Sequence, residues 1–190
     1  LSSKSKILIE MNHDSVKYFK NFSKINNVYL LLGSIPITEN DKLFNRSILI
    51  NPDGDIISIY DKIHMFDITL KNGESYKESD FYSPGSELKI TKVLGHSVGH
   101  TICYDLRYPK LYRALAKKGS QIIVVPSAFT HTTGKAHWHS LIKARAIENG
   151  VFILAPNQWG VNNEKRVTYG HTLIVDPWGE TLAEAEDGEM

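Results

Sequence analysis

The sequence holds a single cysteine, Cys103, in 190 residues. This excludes an internal disulfide framework and fits a reducing compartment, the cytoplasm. It also lacks an excess of either charge. Its 22 Lys and Arg stand against 21 Asp and Glu and are interspersed with them, so no basic face points to nucleic acid and no acidic tail is evident. No apolar run is long enough to cross a bilayer, and no membrane partner is expected. Gly33 follows a strand-like run, but no glycine-rich segment or Lys-Ser/Thr comes after it, which excludes a phosphate loop. Repeats, low-complexity tracts and linkers are missing too, so a single domain is expected over residues 1–190. The sequence begins at Leu1 rather than a methionine and stops at Met190, just after the strand-like Thr181–Ala185, and both ends read as cut.

The patterning alternates strands and helices. Leu1–Lys6 is polar and reads as a loose end. Asn12 or Asp14 can cap a helix to about Asn26, with Val16, Phe19, Phe22 and Ile25 at helical spacing on one face. Val28–Leu32 reads as a strand buried on both faces, closed by Gly33-Ser34-Ile35-Pro36. Phe44–Ile50 and Asp55–Tyr60 flank the turn Asn51-Pro52-Asp53-Gly54. A long polar loop follows Asp67 through Gly85, and a hairpin around Gly95-His96 joins Glu87–Leu94 to Ser97–Cys103. Helices are expected at Leu111–Lys118, entered through Pro109, and at Ala136–Asn149, ended by Gly150. Gln121–Val125 and Val151–Ala155 read as buried strands, Asn157–Arg166 as a polar loop, and Val167–Val175 and Glu180–Ala185 as final strands. Hairpins mixed with strand–helix–strand units indicate an α/β sandwich with mixed sheets.

The chemistry centres on Gly99-His100-Thr101-Ile102-Cys103-Tyr104-Asp105-Leu106-Arg107-Tyr108-Pro109, an apolar run that ends in a polar turn and a helix start. A lone cysteine is usually a small core residue. Here Asp105 and Arg107 stand where a simple core strand would have apolar or turn residues. A thiol acting on an amide must be ionised, and the oxyanion it creates must be stabilised. Lys62, at the exit of a buried-looking strand, is a cation able to serve both needs. Glu78 is a carboxylate that can orient Lys62 or a substrate amide. Arg107 stays charged and cannot act as a base, whereas its fork suits a carboxylate. His137 and His139 are two apart on a helix and point to different sides, so they cannot share a metal ion, and His131 falls on the preceding loop. Trp138 reads as a core or interface anchor, and Arg145 with Glu148 as a structural pair on one helix face.

Asp61-Lys62-Ile63-His64, Glu78-Ser79 with Pro84-Gly85, the run from Cys103 to Pro109, Ala144-Arg145-Ala146-Ile147-Glu148-Asn149 and Asp176-Pro177-Trp178-Gly179 together resemble the nitrilase superfamily of carbon–nitrogen hydrolases. The resemblance covers nearly the whole sequence in the family's order. It implies an α-β-β-α sandwich, here incomplete at the N-terminus, and a homodimer or larger homo-oligomer. It also implies a Glu-Lys-Cys triad supported by a second glutamate. Cys103 matches the nucleophile, Lys62 the lysine and Glu78 the second glutamate, and the backbone amide of Tyr104 would share the oxyanion hole with Lys62. Arg107, Phe129 and Thr130 would contact the substrate. Pro126-Ser127-Ala128-Phe129-Thr130, Thr133-Gly134, Ala136-His137-Trp138 and Asn163-Glu164-Lys165-Arg166 leading to Tyr169-Gly170-His171 look most like the deaminated-glutathione amidases. The implied activity is hydrolysis of a small carboxamide through a cysteine thioester, with no metal or organic cofactor. The ω-amidases, N-carbamoyl amidohydrolases and a truncated, non-catalytic assembly module are the alternatives. The triad glutamate would precede Leu1. Glu10 is the only acidic residue before Asp14 and lacks the family's proline context, so the 190 residues alone are expected to be inactive.

Overall fold

The computed structural model describes residues 10–69, 73, 75–163, 166–186 and 188. The expected loose end Leu1–Lys6 and residues Glu164 and Lys165 lie outside them. The chain divides into two units, 1–87 and 88–190.

In the first unit, helix α1 (Asp14–Asn26) is capped by His13, whose Nδ1 accepts from the Ser15 amide at 3.1 Å. The expected caps Asn12 and Asp14 do not serve. Asp14 sits in the first turn and pairs with Lys17. The buried line of the helix is Val16 and Ser23, while Phe19, Phe22 and Ile25 are exposed. The reason is what the helix packs on. Ser23 Oγ donates to the carbonyl of Asn51 at 2.8 Å, and a Cβ on Gly54 would lie 2.9 Å from the Lys20 carbonyl. A tight turn takes small and backbone groups against it, and the rings turn outward.

Strands β1 (Leu30–Glu39), β2 (Lys42–Ile50) and β3 (Ile56–Asp61) form an antiparallel meander. Gly33-Ser34 does not end β1, as the sequence suggested. The register shifts between Leu32 and Ile35, so these residues form a bulge and the strand continues through Pro36. Pro36 is tolerated because β1 is at the sheet edge. Asn40 and Asp41 both have positive φ and make the tight β1–β2 reversal. Asn51 Oδ1 accepts from the amides of Asp53 and Asp55, which closes the expected β2–β3 turn. Leu32, Ile48 and Ile50 form a core joined by Met11, Leu30, Ile35 and Ile56. Each fully buried aliphatic chain of this kind contributes about 1.5–3 kcal/mol. The segment read as a polar loop holds a small hairpin, β4 (Asp67–Thr69) with β5 (Ser75–Lys77), and a 3-10 turn at Glu78–Asp80.

The second unit is a six-stranded sheet whose strands lie in the order Thr181–Glu184, Leu173–Val175, Phe152–Ala155, Ile122–Val124, His96–His100, Ile90–Val93. Strands β6 (Ile90–Val93) and β7 (His96–His100) form a hairpin whose turn residues Leu94 and Gly95 have φ of 49° and 85°. Strand β7 leads through a 3-10 turn (Cys103–Arg107) into α2 (Pro109–Lys117), which returns the chain to the parallel strand β8 (Ile122–Val124). Helix α3 (His131–Asn149) then leads to the parallel strand β9 (Phe152–Ala155). Helix α3 starts earlier than expected, because Thr130 caps it by accepting from the Thr133 amide at 3.4 Å. His131 is therefore helical rather than on a loop. The expected loop at 157–166 is a hairpin, β10 (Trp159–Asn163) with β11 (Arg166–Tyr169). The expected continuous strand Val167–Val175 is broken after β11 at Gly170 and His171, both with positive φ. Strands β12 (Leu173–Val175) and β13 (Thr181–Glu184) complete the sheet. Leu115, Ile123, Trp138, Ile142, Ile153 and Val175 fill the core.

Candidate functional site

Lys62 leaves β3 with its backbone fixed on both sides. Its amide donates to the Asn45 carbonyl at 3.0 Å and its carbonyl accepts from the Gly85 amide at 2.9 Å. Gly85 is required there, since a Cβ would come within 2.3 Å of the Asp61 carbonyl oxygen. Asp61 is held in turn by a two-pronged pair with the buried Arg46, at 2.7 and 2.8 Å. Asp61 and Glu39 together hold the Arg46 guanidinium well above its ordinary range. The strand exit that carries Lys62 is thus rigid.

Lys62 is buried, 2% exposed. A buried ammonium needs a paired and hydrogen-bonded anion, and Glu78 supplies it. Lys62 Nζ donates to Glu78 Oε2, which also accepts from the Phe66 amide at 2.7 Å. Glu78 Oε1 accepts from Asn45 Nδ2 at 3.0 Å. Burial and the Glu78 carboxylate push the phenol of Tyr82 above its ordinary range. The structure brings together Lys62 and Glu78 from the sequence reading. It adds Asn45, which the sequence did not single out because it sits mid-strand with no local signature.

In the second unit, the expected strand to Cys103 ends at His100, and Cys103 opens the 3-10 turn that follows with φ of 47°, in the left-handed region that L-residues rarely adopt. Three groups hold this conformation. The Cys103 amide donates to the Pro126 carbonyl at 3.0 Å. The fully buried Asp105 accepts from the Ile102 amide at 2.9 Å. Arg145, itself buried, donates through Nε to the Leu106 carbonyl at 2.9 Å and pairs with Glu148, as expected. Thr101 donates to the Val124 carbonyl and shares a hydrogen bond with Tyr112, whose phenol burial pushes far above its ordinary range. Cys103 is partly exposed.

Arg107 lies over the rings of Tyr104 and Phe129, 5.8 and 5.6 Å from their centroids, and its Nη2 donates to His137 at 3.3 Å. Tyr104 packs edge-on to Tyr108. Phe129 is buried against Trp138, a core residue, and Thr130 is buried as the α3 cap. Arg107, Tyr104 and Phe129 therefore form one cluster beside the cysteine turn. Glu10 is exposed, and its carbonyl accepts from the His13 amide at the entry to α1.

Comparison with known proteins gives a consistent answer. The sequence model for carbon-nitrogen hydrolases matches residues 3–190. The chain is 43% identical over 164 residues to the deaminated glutathione amidase of Yersinia enterocolitica, covering 84% of this chain and 57% of that protein. It is 37% identical over 177 residues to the omega-amidase Nit3 of Saccharomyces cerevisiae, covering 92% of this chain and 61% of the relative. The crystal structure of S. cerevisiae Nit3, a member of branch 10 of the nitrilase superfamily, superposes with a TM-score of 0.83 at 34% identity, over 93% of this chain and 62% of that one. The chain thus spans less than two thirds of the length of these relatives.

Proposed function

Since the chain belongs to the carbon–nitrogen hydrolase family of the nitrilase superfamily, we propose that it carries the nucleophile and the lysine of an amidase acting on a small carboxamide. The observation that carries this reading is the buried Lys62 ammonium, locked by a carboxylate that two other donors hold in place. A lysine so fixed is a preorganised cation, the kind of group an oxyanion needs.

In this reading Cys103 Sγ attacks the amide carbon as its proton passes to the triad glutamate. Lys62 and the Tyr104 amide hold the oxyanion. The same acid returns the proton to the leaving nitrogen, ammonia departs, and water cleaves the thioester to release the carboxylic acid and regenerate the thiol. Glu78 orients Lys62 and does not shuttle protons. The left-handed turn at Cys103 supports its role as the nucleophile. Arg107, Phe129 and Thr130 would meet the substrate, and Thr130 also caps the start of α3. A family model running across both units supports a single catalytic domain. A homodimer or larger homo-oligomer is implied by the family resemblance. The single cysteine supports a reducing, cytoplasmic setting. Among the described residues no helix is long and apolar enough to cross a membrane.

The relative from Y. enterocolitica points to deaminated glutathione as substrate, and the relative from S. cerevisiae to ω-amides as a second choice. The test is ammonia release from both amide types by a polypeptide carrying these residues together with a triad glutamate. Cys103→Ala should abolish turnover, and equal activity in that variant overturns the reading. The 190 residues alone should turn over slower by a few powers of ten, the usual effect of losing a triad member.

A further inference from the structure

Three residues far apart in sequence meet in the second unit. His139 is on α3, His171 is in the turn between β11 and β12, and Glu184 ends β13. His139 Nε2 and His171 Nδ1 each lie 2.8 Å from the same oxygen, Glu184 Oε1. One ligand atom from each residue falls within 4.8 Å of the others. The side chains are 34%, 23% and 34% exposed, so solvent reaches them.

The surroundings fix this arrangement. The His139 ring meets His171 edge-on at 5.2 Å, and both rings contact Tyr169, at 6.0 and 4.4 Å. His171 has φ of 57° and follows Gly170 at 75°. A histidine in the left-handed region is strained unless its neighbours hold it. The buried Trp138 donates from Nε1 to the His171 carbonyl at 2.8 Å, and Asn157 Nδ2 donates to the Gly170 carbonyl at 2.6 Å. The core thus sets the direction in which the His171 ring points. A carboxylate oxygen accepts two such hydrogen bonds, but a partly exposed histidine–carboxylate pair contributes little to stability, so these pairs are a weak reason by themselves for the three side chains to converge.

We propose that His139, His171 and Glu184 form a binding site for a zinc-type divalent cation, with water in the fourth position. Two imidazoles and one carboxylate suit zinc and similar borderline metals rather than calcium or magnesium, which take oxygen ligands. On binding, a neutral imidazole shifts its N–H to the other ring nitrogen, and a protonated one releases a proton to solvent. The metal would staple the edge strand β13 to α3 and to the β11–β12 turn. Sequence spacing did not reveal the site, because it compared His139 only with its helix neighbours. The inference does not rest on the amidase reading.

The test uses the 190-residue chain carrying Cys103→Ala, which removes the thiol as a competing ligand. Zinc is titrated against a chromophoric chelator, and melting is followed with and without zinc. The expected result is one zinc per chain and a raised Tm. His139→Gln, on the helix surface, and Glu184→Gln, of unchanged shape, should each weaken binding by about tenfold or more and lose the Tm rise while keeping the native circular dichroism. His96→Gln, at the exposed start of β7, should change neither. Absence of stoichiometric binding, binding that survives both ligand substitutions, or an equal loss in His96→Gln overturns the proposal.

Discussion

Asn45 Nδ2 donates to Glu78 Oε1 at 3.0 Å, while the backbone carbonyl of the same Asn45 accepts from the Lys62 amide at 3.0 Å. One residue of β2 therefore fixes both members of the lysine–glutamate pair. Asn45→Ala removes the side-chain bond and leaves the backbone one. A hydrogen bond to a charged group contributes about 1.5–3 kcal/mol. The expected outcome is a loss of that size in urea unfolding. In a polypeptide with the full triad, kcat should fall while KM moves little. An unchanged kcat would show that Asn45 does not position Glu78.

Lys62 and Glu78 form a buried pair, with side chains 3% and 14% exposed. Glu78→Ala leaves a buried ammonium unpaired and should destabilise by about 3–5 kcal/mol. The double variant Lys62→Met, Glu78→Leu should be markedly less destabilised, since it removes both charges. Equal losses for the single and double variants in chemical denaturation would mean that packing, not charge burial, holds this site.

Cys103 adopts φ of 47°. Glycine takes this conformation freely, whereas an L-residue pays about 1–2 kcal/mol. Cys103→Gly should therefore be at least as stable as Cys103→Ala, against the usual order, and comparison of their melting midpoints checks it. Under the proposed function Lys62 assists the Cys103 thiol, so Lys62→Ala should slow iodoacetamide alkylation of Cys103. An unchanged rate counts against that role.

Burial, with the Lys89 ammonium nearby, lowers the pKa of His100 from 6.5 to about 4. Its Nε2 meets Thr91 Oγ1 at 3.1 Å. The folded protein keeps this imidazole neutral, while the unfolded chain protonates it below pH 6.5. The folded state therefore has its full stability above about pH 6.5. It loses about 3 kcal/mol as the pH falls toward 4. His100→Gln should flatten unfolding free energy against pH across that window. An identical slope in the two proteins refutes the assignment.

The sequence by itself determined the features that are local in origin. The turn at Asn51–Gly54 follows from Asx and glycine chemistry. The entry to α2 follows from Pro109 at its first position, and the end of α3 from the left-handed Gly150. Lys62, Glu78 and Cys103 drew notice at strand exits or in a polar turn, and the family resemblance supplied the roles proposed for them. The hairpins β4–β5 and β10–β11 were not legible, because short strands with exposed positions have weak intrinsic preference and form through their partner strand. The cap at Thr130 and the bulge at Gly33-Ser34 likewise depend on packing. Only the tertiary structure decided that Asn45 and the Phe66 amide hold Glu78, and that His139 and His171 share an oxygen of Glu184. Periodicity and turn chemistry act over a few residues. These partners are brought together by strand pairing and by helix α3, across stretches of chain that no local pattern spans.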